Sequence, residues 1–117
     1  LIRGEFFESG EESWAVLCSV NGWSTILVFR TAQDSAPHSL AGKEDRGYLQ
    51  SLDEHSVGYS RAIQTVGRDF IVAHDNGYPV PKPTRITHHG IDDAFLEKAS
   101  ETWYFHAGKW FKLPGAD

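Results

Sequence analysis

A chain of 117 residues with 40% apolar and 13% aromatic residues is long enough to bury one hydrophobic core, so we expect a single domain over residues 1–117. The formal net charge of −5 and the scattered lysines and arginines argue against nucleic acid as a partner, because phosphate binding requires a concentrated basic surface. No apolar run approaches the roughly 18 residues that a membrane span requires.

The first third of the chain predicts a hairpin. Residues 2–8 predict a strand, and residues 13–20 and 23–30, which are rich in β-branched and aromatic residues, predict two more. Asn21-Gly22 separates these two strands, and both residues tolerate the positive φ that a two-residue hairpin turn requires.

Both faces of this hairpin are predicted to be apolar. On the first strand one face carries Trp14, Val16, Cys18 and Val20, and the other carries Ala15, Leu17 and Ser19. The hairpin is therefore expected in the centre of the fold, covered on both sides. Cys18, the only cysteine, is expected to pack there as a small apolar side chain and cannot form an intramolecular disulfide.

The middle of the chain alternates loops with short elements. Residues 31–46 are polar and predict a long surface loop, and 47–52 and 57–66 predict strands. Residues 68–76 are compatible with a strand or a helix, and Asn76-Gly77 favours a short helix that ends there. The three prolines within 77–84 predict an extended connector.

The last part predicts a meander. Strands are expected over 93–99, 101–106 and 109–113, with Ala107-Gly108 as the second turn. The predicted fold class is mainly β (α+β), an antiparallel sheet of hairpins and a C-terminal meander with one short helix near 68–76.

Two segments about eighty residues apart share a pattern. In 4–16 Gly10 is followed three residues later by Ser13, and in 85–96 Gly90 is followed by Asp93. The first segment resembles the calcium-loop repeats of FG-GAP-type β-propellers. The residues at matching positions are Gly4, Phe6, Gly10, Ala15 and Val16.

The oxygen ligands that this resemblance implies are largely replaced. The ligand positions hold Glu5, Phe7, Ser9 and Ser13 in the first segment, and Thr87, His89 and Asp93 in the second. Calcium takes six to eight oxygen ligands, so we expect these loops to serve as tight turns before strands. The whole chain also resembles a set of small uncharacterised bacterial proteins, a likeness that implies no activity.

The segment "HHGIDD" (88–93) is the candidate metal site. His88, His89, Asp92 and Asp93 are ligand types that suit Zn²⁺, or Ca²⁺ for the carboxylates. Neighbouring residues on an extended segment point to opposite sides, so one ion would be shared by one of the two histidines, one of the two aspartates and a distant group such as His74 or His106. The alternative is a polar turn, with positive φ at Gly90, an aspartate that accepts backbone N–H groups and both histidines in solvent.

A cluster of aromatic residues near the end of the chain is the candidate partner surface. It comprises Trp103, Tyr104, Phe105, Trp110 and Phe111. Trp103 and Phe105 are expected on one face of the strand and Tyr104 on the other. A face left uncovered would form a platform for a protein, peptide or carbohydrate, whereas a sheet covered on both sides would bury it.

These patterns favour a non-catalytic binding or accessory module over an enzyme. The alternative is a metal-dependent or hydrolase-like protein built on residues 88–93. We expect no cofactor, a monomer or a homodimer, and no nucleic-acid partner. The sequence starts at Leu1 rather than at a methionine; a removed leader would favour a periplasmic or secreted location, and a trimmed chain would leave the compartment open.

Overall fold

The structure, a computed structural model, describes residues 1–31, 36–51, 57–75, 83, 85–95 and 99–115. Within these residues the fold is mainly β, as the sequence predicts. The elements in chain order are β1 (Ile2–Gly4), β2 (Ser13–Val20), β3 (Trp23–Phe29), β4 (His38–Glu44), a 3-10 helix (Asp45–Tyr48), β5 (Leu49–Ser51), β6 (Val57–Tyr59), β7 (Arg61–Val66), α1 (Arg68–Ala73), β8 (Gly90–Phe95), β9 (Ala99–His106) and β10 (Lys109–Pro114). Neither described helix is long and apolar enough to cross a membrane.

The strands form two four-stranded meanders with the same order. The first sheet is β1-β2-β3-β4 and the second is β7-β8-β9-β10, while β5 and β6 pair separately. Every pairing is antiparallel. The first strands of the two sheets meet, because Thr65 Oγ1 in β7 donates to the carbonyl oxygen of Arg3 in β1 (2.6 Å).

Two turns take the conformation that the sequence predicts. Asn21 and Gly22 have φ of 54° and 78°, and Ala107 and Gly108 have φ of 53° and 83°. Positive φ at both central residues is typical of a type I′ turn, whose twist matches that of the flanking strands.

The two sheets pack face to face. Between them lies a buried core of Phe6, Phe7, Ala15, Ile26, Val28, Leu40 and Ile91. Ile63, Trp103, Phe105 and Trp110 of the second sheet pack against this core while staying partly exposed.

A second, smaller core lies on the opposite face of the second sheet. It consists of Val66, Ile71, Tyr104 and Leu113. Helix α1 supplies Ile71, and the partly buried Phe70, Ile86 and Phe111 pack around it. Helix α1 confirms the predicted helix near 68–76, although it ends at Ala73.

Several predicted boundaries are wrong. Residues 31–46 are not a continuous loop, because they contain β4. Only Leu40 of β4 is buried, so the strand lacks the alternation of apolar and polar residues that would predict it. The predicted strand 2–8 shortens to β1, and 57–66 divides at Ser60 into β6 and β7. Strand β8 begins at Gly90, three residues before the prediction; residues 77–82, 84 and 96–98 lie outside the described part.

The sequence predicts that both faces of the first hairpin are covered, but one face of the first sheet is not buried. Its part on β2 and β3, which we call the outer face, consists of Trp14, Val16, Cys18 and Val20 of β2 with Trp23, Thr25, Leu27 and Phe29 of β3, which pair across the two strands. Arg3 of β1 and Ser39 and Glu44 of β4 lie beside it on the same side of the sheet. None of these side chains is buried, and Val20 and Trp23 are 66% and 50% exposed. Cys18 therefore lies half-buried on a surface rather than in the core.

Candidate functional site

His88 is held inside the fold by protein groups. Its ring stacks on that of Tyr104, with centroids 4.3 Å apart and planes 8° from parallel. Nδ1 lies 2.9 Å from the carbonyl oxygen of His89, and Nε2 lies 2.8 Å from that of Phe105. Both ring nitrogens therefore face protein acceptors, which leaves neither of them available to a metal ion.

His89 joins the second sheet to the start of the chain. Its Nδ1 accepts the backbone N–H of Glu5 (2.9 Å), and its own N–H donates to the carbonyl oxygen of Glu5 (3.0 Å). Because Nδ1 is the acceptor, the ring proton resides on Nε2 in the neutral form. His89 thus acts as a backbone partner that extends the contact between β1 and β7.

The two aspartates point to opposite sides of β8, as alternation in a strand requires. Asp92 is buried and accepts from Gln64 Nε2 (3.3 Å) and Thr102 Oγ1 (3.2 Å). Asp93 faces the first sheet and forms a bidentate ion pair with Arg61, with contacts of 2.9 and 2.8 Å.

Arg61 extends this ion pair across the sandwich. Its Nη1 donates to the carbonyl oxygen and to Oγ of Ser24 (3.0 and 2.8 Å), and its Nη2 donates to the carbonyl oxygen of Ala41 (2.7 Å). The side chains of Arg61 and Asp93 are 0% and 1% exposed. This network is structural: the buried charge is neutralised and its donors are fully used.

The residues 88–93 therefore do not form one ligand set. Among the described residues, no group of three His, Cys, Asp or Glu side chains is arranged to hold a metal ion. The turn alternative differs from the structure in its details, since both histidines have protein partners and Gly90 is a buried strand residue without positive φ. Gly90 is needed for space, because a Cβ there would lie 3.0 Å from the carbonyl oxygen of Trp103.

The loop between β1 and β2 is closed by side chains at the positions of the implied calcium ligands. Glu5 Oε1 accepts the N–H of Gly10 (2.8 Å), whose φ is 88°. Ser13 Oγ donates to the carbonyl oxygen of Gly4 (2.9 Å) and accepts the N–H of Phe6 (3.0 Å). These hydrogen bonds fix the conformation of the loop that precedes β2.

The same loop carries an exposed ion pair. Arg30 Nε lies 2.7 Å from Glu11 Oε1, and its guanidinium lies 5.1 Å above the ring of Phe7. The hydrogen bond from Arg30 lowers the pKa of the Glu11 carboxyl, against a smaller opposing effect of burial. The pKa of Arg30 is raised by the same hydrogen bond.

The aromatic cluster is divided between the two cores. Trp103, Phe105 and Trp110 lie on the face that packs against the first sheet, and Phe111 lies on the other. Tyr104 is fully buried, and its hydroxyl accepts the N–H of Thr87 (2.9 Å). The predicted alternation of faces is confirmed, and the five rings do not share one accessible surface.

Part of this cluster forms an edge-to-face group at the rim of the sandwich. Phe105 and Trp110 contact Phe7 and His38, with ring centroids 5.0 to 6.1 Å apart. Trp110 Nε1 donates to His38 Nδ1 (3.1 Å). Such contacts are typical of aromatic packing, and here they join β4 to β9 and β10.

Sequence reasoning missed two features that the structure places at the surface. One is the outer face of the first sheet, whose alternating apolar residues the sequence predicts but whose exposure it does not. The other is a cavity of about 690 Å³ beside α1, with Arg68 and Arg85 among its lining residues. Residues 68 and 85 come together only through the packing of α1, so no local pattern indicates them.

Comparison of the chain with known protein families, with curated proteins and with solved structures gives no match.

Proposed function

We propose that the protein is a non-catalytic binding or accessory module that docks through the outer face of its first sheet, and that the occupant of this face is a second copy of the chain. The observation that carries the proposal is the exposure of this face. Seven of its eight positions are apolar or aromatic, and none of the eight belongs to either of the two buried cores. Large exposed apolar patches are typical of interaction surfaces.

The charge of the surface favours self-association through this face. None of its eight positions carries a charged side chain, although Arg3 and Glu44 lie beside it on the same side of the sheet, opposite Trp14 and Trp23, and the chain as a whole has a net charge of −5. The net charge opposes contact of two copies wherever they meet, and an apolar contact surface adds no local repulsion between charged side chains. A face-to-face contact of two outer faces would bring together apolar residues at the spacing of stacked sheets, about 10 Å.

The repeated architecture supports sheet packing as the mode of contact. Propellers are built from four-stranded sheets that follow one another around an axis, and both sheets here are four-stranded meanders whose first strands meet. The resemblance of residues 4–16 to propeller loops agrees with such packing. The outer face of the first sheet would then receive another sheet, as its inner face receives the second.

Cys18 provides a direct test of this contact. Because it is the only cysteine and lies on the outer face, its rate of alkylation reports whether the face is covered. We expect the sedimentation coefficient to rise with protein concentration and the alkylation rate of Cys18 to fall over the same range. A single monomeric species throughout, with a constant alkylation rate, would overturn the proposed dimer.

Matched variants separate this face from general surface effects. Val20→Lys places a charge on the outer face, and Leu49→Lys places one on β5 at a residue that is similarly exposed (66% and 49%). We expect Val20→Lys to weaken association by about tenfold or more, since a charge in an apolar contact must be desolvated, and Leu49→Lys to leave it unchanged. Equal effects of the two variants would show that the contact lies elsewhere.

A further inference from the structure

The cavity beside α1 is independent of the outer face. It lies on the far side of the second sheet, over the smaller core. Its floor contains Ile71 and Leu113, which are 4% and 5% exposed, and the partly buried Ile86. Val72, which is 50% exposed, contributes a further apolar side chain to the lining. A volume of about 690 Å³ falls within the range of roughly 300–1,000 Å³ that is usual for small-molecule sites.

The charged groups that line this apolar space are mainly basic. Arg68, at the start of α1, and Arg85 both line the cavity and are exposed to solvent. Asp75 is the one acidic residue among the described lining residues, and it already has an interaction partner of its own. Among the described lining residues, two arginines against one aspartate give a local positive charge on a chain whose net charge is −5.

Arginine side chains above an apolar floor indicate which class of ligand the cavity would bind. Arginine binds carboxylates through two parallel N–H donors, and an apolar floor favours a hydrocarbon or aromatic body. We infer that the cavity binds a small amphiphilic organic anion, with its carboxylate at Arg68 and Arg85 and its apolar body against Ile71, Ile86 and Leu113. A neutral analogue with the same apolar body loses the charge-assisted hydrogen bonds and binds more weakly.

The test compares octanoate with 1-octanol, which have the same chain length and differ in charge. Binding is measured by calorimetry and located by the methyl resonances of the labelled protein. We expect saturable binding of octanoate, roughly tenfold tighter than that of octanol, with shifts at Ile71, Ile86 and Leu113. Shifts confined to Val16 and Leu27 would place the ligand on the outer face and overturn the inference.

Variants test the role of charge separately from the fold. Arg68→Gln and Arg85→Gln are each expected to weaken octanoate binding about tenfold and to leave octanol unaffected. Arg46→Gln removes an exposed arginine from the 3-10 helix, outside the cavity, and is the matched control. No saturable binding of octanoate to the wild-type protein, or an equal loss with Arg46→Gln, would refute the site.

Discussion

The buried ion pair between Arg61 and Asp93 is expected to be the most sensitive point of the fold. Asp93→Asn keeps the volume of the side chain but leaves the guanidinium, which is 0% exposed, without its counter-charge. Removing one partner of a buried pair typically costs about 3–5 kcal/mol. This is a large part of the roughly 5–15 kcal/mol by which a domain is usually stable.

The same structure predicts a different result for the double variant Arg61→Met, Asp93→Leu. Replacing both charges with apolar groups is often neutral, but here the carbonyl oxygens of Ser24 and Ala41 lose their donors. Each unsatisfied buried group costs about 1–3 kcal/mol. We therefore expect the double variant to remain less stable than the wild type by about 2–6 kcal/mol, a range that overlaps the cost of Asp93→Asn.

Urea unfolding followed by tryptophan fluorescence measures these differences. Glu101→Gln is the matched control, since the Lys43–Glu101 pair also connects β4 with the second sheet but is 37% and 38% exposed, with a distance of 3.3 Å. An exposed pair contributes about 0–1 kcal/mol. A cost below about 1 kcal/mol for Asp93→Asn, similar to that of Glu101→Gln, would refute the reasoning from burial.

Three further results are expected. Ala107→Asn should stabilise the protein by about 0.5–1 kcal/mol in thermal unfolding, because asparagine tolerates the positive φ at this turn better than alanine does; a loss of stability would contradict this. The lowered pKa of Glu11 next to Arg30 contributes stability that is present above the unfolded-state pKa and is lost as the pH falls through the folded-state pKa. The difference in unfolding free energy between wild type and Glu11→Gln should therefore disappear at acidic pH. A difference that increased at acidic pH would contradict a stabilising role of the ion pair. Neither Ca²⁺ nor Zn²⁺ should raise the melting temperature; a shift of several degrees, as expected at a hundred times a dissociation constant, would show that the protein binds the ion and would contradict this expectation.

The elements that the sequence predicts well are those with local signals. The Asn21-Gly22 and Ala107-Gly108 turns, and the apolar strands beside them, are specified by neighbouring residues. Strand β4 was missed because only Leu40 in it is buried, so its alternation is weak at an edge of the sheet. Its backbone also departs from regular geometry, with φ of 53° at Ala41 and a shift of register opposite Ser24 and Ile26.

The candidate site was harder to predict because its residues are used in long-range packing. Nothing near Asp93 in the sequence indicates Arg61, which lies 32 residues away. His88 and His89 resemble metal ligands in composition, yet their partners are the backbone atoms of Phe105 and Glu5. The sequence indicates which polar side chains could bind a ligand, and only the tertiary structure shows that these side chains form hydrogen bonds and an ion pair within the fold.

The contact between the first strands of the two sheets has a consequence for how the protein opens. Proteins built from repeated units often unfold one unit at a time. Here Thr65 bonds to Arg3, His89 bonds to Glu5 in both directions, and Arg61 reaches from one meander into the other. Neither meander can separate without breaking these hydrogen bonds, of which those from Arg61 to Ser24 are buried. Amide exchange in the central strands of the two sheets should therefore occur through a single global opening, and neither four-stranded unit should persist alone.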